Sequence, residues 1–200
     1  MMRFPIAAFV SVFALMIASS AQAGPMEFTA NLSGPNESPP NASPGTGFTS
    51  VLYDPVLHTL HVDVTFGGLL GNTSASHIHC CTTIPGVSNA GVATVTPSFT
   101  GFPLGVTSGL YDSPIYDLSI AGGWNGAFIG LNGGTPASAE AALFAGLMSG
   151  RSYLNIHSTV FPGGEIRGFL VFVPEPITLS LFGAGLAGAA FLRRRRKLKA

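Results

Sequence analysis

The chain has 200 residues, of which only 9% are charged, and nine basic side chains balance nine acidic ones. The balance is uneven. Residues 24–176 hold Arg151 and Arg167 against nine carboxylates, so this region lacks the cationic contacts that nucleic-acid binding needs, and nucleic acid is excluded as a partner.

Residues 1–23 open with Arg3, continue through an apolar run from Phe4 to Ile17, and finish Ala21-Gln22-Ala23. A positive start, a short apolar helix and small residues at Ala21 and Ala23 make a secretion signal, with signal peptidase cutting after Ala23. The run is too short to cross about 30 Å of hydrocarbon as a permanent anchor. Removing both ends of the chain leaves one domain, residues 24–172, long enough to bury a core.

Within that domain the first element is a half-buried strand. From Met26 to Ser33, Phe28, Ala30 and Leu32 alternate with Glu27, Thr29 and Asn31. A Pro/Ser/Asn/Gly loop follows from Gly34 to Gly47. Phe48–Tyr53 and Leu60–Phe66 then read as a strand pair turning near Asp54-Pro55, with Leu60, Val62, Val64 and Phe66 inward. His58 and His61, three apart, oppose each other and make no site. Shorter strands are expected over Ala75–Cys80, Val92–Thr96 and Tyr116–Ile120. One short helix is expected from Ala137 to Met148, capped by Thr135, started by Pro136 and stopped by Gly150. Its apolar face is Leu143, Phe144, Leu147 and Met148. A hairpin closes the domain, Tyr153–Thr159 with Glu165–Val173, around Phe161-Pro162-Gly163-Gly164. A two-residue loop there turns His157 away from Glu165 and Arg167, whereas a three-residue loop puts all three on one face. The fold class is therefore mostly β: an antiparallel sandwich or barrel with one short helix.

The C-terminal segment, residues 173–200, begins Val173-Pro174-Glu175-Pro176. An apolar stretch over about 177–192 follows, then a basic tail over 193–199 that opens with Arg193, Arg194, Arg195 and Arg196. At about 1.5 Å per residue the stretch is a thin transmembrane helix, and its basic flank stays cytoplasmic while the domain faces out. This arrangement resembles the PEP-CTERM sorting signal of Gram-negative bacteria. The resemblance implies processing by an exosortase, a membrane cysteine protease, after transit in the inner membrane. It also implies delivery to the cell envelope, outer surface or extracellular matrix, with exopolysaccharide or other envelope components as partners there.

Four motifs in order carry a second resemblance: Leu32-Ser33-Gly34-Pro35-Asn36-Glu37-Ser38-Pro39-Pro40, His77-Ile78-His79, Tyr153-Leu154-Asn155-Ile156-His157-Ser158, and Phe161-Pro162-Gly163-Gly164-Glu165-Ile166-Arg167-Gly168. From about Phe28 to Val171 the chain resembles the CHRD domain, first named from chordin. The resemblance implies an immunoglobulin-like sandwich or barrel, with Glu37, Asn155, Glu165 and Arg167 as its structural motif residues. The family usually has Gly after the His-x-His, where this chain has Cys80 and then Cys81.

The chemistry-bearing candidates are few. His77 and His79, two apart on a strand, project from one face and can grip one metal ion, with His157 as a third ligand. Cys80 and Cys81 would add thiolates. The sequence demands no cofactor; copper or zinc is what these histidines would accept. The alternative is that they brace the barrel through hydrogen bonds. For the cysteines, a vicinal bridge, a metal-thiolate site, an intermolecular bond and two buried thiols all stand open. Glu165 and Arg167 share a face as an ion pair or a loop pin. No Gly-x-Ser-x-Gly, His-Glu-x-x-His or phosphate loop occurs, so no catalytic residue is assigned. The reading is a non-enzymatic binding or structural module, with a copper- or zinc-binding protein as its alternative. The His-x-His also resembles copper/zinc superoxide dismutase over a few residues, which makes a redox enzyme the weaker second alternative.

Overall fold

The computed structural model describes residues 24–174 and, beyond them, only 183, 185–188 and 194. The secretion signal with Ala21 and Ala23, and most of the sorting segment including Glu175, Pro176, Arg193, Arg195 and Arg196, lie outside the described residues. Among the described residues no helix is long and apolar enough to cross a membrane.

The described chain is mostly β, one curled antiparallel sheet forming a half-barrel. Its strands are β1 (Met26–Ser33), β2 (Thr46–Asp54), β3 (Thr59–Gly67), β4 (Thr73–His79), β5 (Gly109–Asp112), β6 (Tyr116–Asp117), β7 (Tyr153–Ser158), β8 (Ile166–Phe169) and β9 (Val171–Val173). The sheet order is β4-β7-β8-β1-β2-β3-β5, with β6 on β3 and β9 on β1. The alternation explains the register. Phe28 meets Val51 across β1 and β2, and Val51 meets Val62 across β2 and β3. All three are fully buried, as are Leu60, Ile78, Leu154, Ile156 and Ile166. Each such side chain contributes about 1.5–3 kcal/mol by leaving water.

Within residues 24–172 two α-helices stand where one was expected: α1 (Gly126–Leu131) and α2 (Pro136–Met148). α2 begins as its sequence dictates. Thr135 Oγ1 accepts from the Ser138 N–H at 3.2 Å, Ser138 Oγ accepts from the Thr135 N–H, and Pro136 fills the first helical position. Leu143 and Leu147 are buried, whereas Met148 is half exposed. Glu140, also buried on α2, accepts from Tyr53 Oη at 2.8 Å and faces His58 Nδ1 at 2.9 Å. That bond set ties the helix to the β2–β3 hairpin.

Three expectations need correction. The segment 92–96 is not a strand; it makes only isolated bridges, and Thr94 Oγ1 accepts from the Ile78 N–H at 3.0 Å in place of a ladder bond. The expected strand over Tyr116–Ile120 stops at Asp117, where Asp117 Oδ1 accepts from the Ser119 N–H and turns the chain. The expected strand 165–173 divides into β8 and β9, because Leu170 leaves the ladder and donates its N–H to Ser152 O.

Candidate metal centre

β4 and β7 are neighbours, and their register sets the site. His77 lies opposite Asn155, His79 opposite Tyr153, and His157 opposite Ala75, one diagonal step from His77. Residues two apart on a strand share a face, so the three imidazoles converge. Their ring centroids are 5.7 Å apart for His77 and His79, 5.2 Å for His77 and His157, and 5.7 Å for His79 and His157. The β7–β8 pairing puts Asn155 opposite Arg167, so His157 shares a face with both; the loop alternatives resolve to the same-face arrangement.

One nitrogen of each ring is held from outside by a backbone carbonyl. His77 Nε2 is 2.5 Å from Pro97 O, His79 Nδ1 is 2.9 Å from Ala90 O, and His157 Nδ1 is 2.9 Å from Pro162 O. A carbonyl only accepts, so each of those nitrogens carries the proton. The other nitrogens (His77 Nδ1, His79 Nε2 and His157 Nε2) are buried and have no partner. In a neutral ring they are bare lone pairs. One ligand nitrogen from each of the three residues lies within 4.8 Å of the other two. Burial pushes all three rings below the ordinary imidazole range, His79 to about 4, against the opposing pull of the backbone bonds. The site presents three neutral nitrogen donors at neutral pH.

The bracing alternative meets an energetic objection. A buried polar atom without a partner costs about 1–3 kcal/mol, and here three such acceptors sit on neighbouring rings. Outer N–H groups bonded to carbonyls, with inner lone pairs free, are what a metal ion needs from imidazole. The residues fit an ion that accepts nitrogen ligands.

Behind His79 the packing continues. The Tyr153 ring stacks on His79, centroids 4.9 Å apart and planes 5° apart, and Arg167 Cζ lies over the Tyr153 ring at 4.6 Å. Arg167 is buried and donates to Asn36 O at 2.5 Å, Ser88 O at 3.1 Å and Asn89 Oδ1 at 2.8 Å. Its acidic neighbour is Glu37, at 3.7 Å, and not Glu165. Burial outweighs the guanidinium there, and the Glu37 carboxyl is pushed up to about 7. Glu165 is a loop pin: it accepts from Ser43 Oγ at 2.6 Å and from the N–H groups of Leu70 at 2.5 Å and Gly71 at 3.2 Å.

Cys80 and Cys81 do not join the cluster. They are bonded to each other as a disulfide, and Cys80, just past the end of β4, is buried in the hydrophobic core with Ile78 and not with the three rings. There Cys81 Sγ lies 3.4 Å from Ala142 O of α2. A Cβ at Gly146 would meet Cys81 Sγ at 2.6 Å, so only glycine lets the helix approach. Gly146 was missed in the sequence, where a glycine inside a helix carries no sign of what it packs against. The carbonyls of Ala90, Pro97 and Pro162 were missed too, because a backbone acceptor has no residue signature. A second cluster, His61 with Asp63 and Asp112, lies on the outer face, with His61 Nε2 2.8 Å from Asp112 Oδ1.

Residues 28–170 match the family model described as the CHRD domain, and residues 172–196 match the PEP-CTERM protein-sorting motif. No curated protein and no solved structure matches the chain. The sorting motif implies processing by an exosortase and an exported protein that passes the membrane to the cell surface.

Proposed function

The chain belongs to the CHRD domain family, and from that premise we propose that it is a non-enzymatic binding module of the cell envelope or extracellular matrix, holding a copper or zinc ion through His77, His79 and His157. One observation carries the reading: three clustered imidazoles, each with one buried, unpartnered ring nitrogen and with its opposite N–H fixed by a backbone carbonyl. Imidazole suits both metals, and the rigid outer bonds supply ligands that need little reordering on binding. Among the described residues no carboxylate or thiol joins the three rings within ligand distance, so the cluster offers an ion neutral nitrogen donors alone. Exopolysaccharide and other envelope components are the partners we propose for the delivered domain, with signal peptidase and exosortase as its processing enzymes.

The test is metal analysis of the exported protein, purified in detergent from a host without an exosortase. One equivalent of copper or zinc is expected, and the His77→Gln and His157→Gln proteins should carry none. Metal-free wild type that takes up neither ion at pH 7 overturns the reading.

A further inference from the structure

We infer that the ion this site selects is monovalent copper, in preference to divalent zinc or copper. The inference rests on the metal-site reading above and concerns charge and coordination number.

Every donor in the cluster is neutral. The three outer N–H groups end on the carbonyls of Pro97, Ala90 and Pro162, so no carboxylate pushes electron density through an imidazole toward the ion. The residue opposite His77 is Asn155, also neutral. Candidate anions nearby are all committed elsewhere. Glu165 is spent on Ser43, Leu70 and Gly71, and the sulfurs of Cys80 and Cys81 are bonded to each other. The one full charge stacked toward the site is positive: Arg167, fully buried, reaches His79 through the Tyr153 ring. Glu37, the acid beside Arg167, is pushed up to about 7 by burial and offsets that charge only in part.

Removing an ion from water costs free energy that scales with the square of its charge, so a divalent ion meets about four times the penalty of a monovalent one in the same pocket. No anion here repays the difference. Coordination number points the same way. Zinc held by three histidines keeps a water in its fourth position, and the free nitrogens here are buried from solvent, whereas three nitrogens complete a trigonal shell for monovalent copper. Binding is ligation alone: the ion enters and stays monovalent, and no electron moves.

The experiment is an anaerobic competition on the same detergent-solubilised exported protein. Monovalent copper is supplied as its acetonitrile complex and competed with bicinchoninate, while zinc and divalent copper are titrated in parallel with chelators of known affinity. We expect one equivalent of monovalent copper, bound on the order of a thousandfold tighter than zinc, with silver(I) displacing it. The copper K-edge of the loaded protein should show a monovalent ion with three nitrogen neighbours. Adding an anionic ligand through His157→Asp should narrow the gap by weakening monovalent copper and strengthening zinc. The wild-type edge and titration stand by themselves should that variant not fold. Zinc or divalent copper bound as tightly as monovalent copper overturns the selectivity and leaves the metal site standing. Uptake of no ion at all removes both.

Discussion

Two clusters in this domain each bring three metal-type side chains within 4.8 Å, and they are chemical opposites. In the inner one, His77, His79 and His157 turn their protonated nitrogens outward to carbonyls and leave three buried lone pairs unpartnered. In the outer one, His61 is already satisfied. Its Nε2 meets Asp112 at 2.8 Å and its Nδ1 meets Asp63 at 3.5 Å, in contact with water. Proximity is common to both, so proximity cannot mark a site. An unmet bond inside the protein can.

The largest effect expected from this difference is on acid stability. Burial holds the inner rings neutral, so their folded pKa values lie below the unfolded value of about 6.5, and His79 reaches about 4. A depressed folded pKa means stability that is intact above about pH 6.5 and is lost as pH falls toward 4. The metal-free protein should therefore lose up to about 3 kcal/mol over that window through His79. Chemical denaturation at a series of pH values should show the slope, and His79→Gln should flatten it. An unchanged slope in that variant would break the contrast.

Metal comes next. Copper or zinc at a hundredfold excess over Kd should stabilise the wild type by about 2.7 kcal/mol. His77→Gln and His157→Gln should abolish the gain, while His61→Gln should keep it. Loss of the gain in the His61 variant alone would move the site to the outer face.

A third comparison runs between the histidine cluster and the cysteine pair. Gly146→Ala puts a methyl group against both sulfurs, an overpacking that costs about 1–3 kcal/mol. Metal uptake at the histidines should survive. If melting drops and metal binding drops with it, the two are mechanically one.

How far the sequence reaches follows from the same physics. Strands with strict alternation, β1 and β3, are legible because the buried face leaves a period of two, as in Leu60, Val62, Val64 and Phe66. α2 is legible from Thr135 and Pro136. Short elements are not. β5 covers four residues and α1 six, too few for any period, and α1 rests on a single side-chain cap, Asn125 Oδ1 accepting from the Ala127 N–H at 3.1 Å. In the site, the His-x-His pair follows from strand geometry, and His157 from a motif in a distant hairpin. The orphaned nitrogens do not, since they are defined by carbonyls of Ala90, Pro97 and Pro162 that loops bring into place. The partner of Arg167 shows the same limit. Spacing offered Glu165, two residues away, and the fold supplies Glu37 from the loop after β1 instead.

The smallest effect belongs to the outer cluster, where it sharpens the comparison by being nearly nothing. Asp112 is mostly exposed and His61 partly so; water and salt screen their attraction, and pairs of that kind contribute about 0–1 kcal/mol. Asp112→Asn keeps the shape and a hydrogen-bonding oxygen while removing the charge. Its stability should stay within about 0.5 kcal/mol of wild type, a figure usual for surface substitutions. Any residual effect should shrink further in 0.5 M salt, where the Debye length falls to a few ångströms. The inner cluster should answer the same salt with no change in metal affinity, because its donors are uncharged and its N–H···O bonds are fixed by the backbone. A salt-dependent inner site together with a salt-independent outer one would invert the assignment, and would show that the unpartnered nitrogens do not carry the binding.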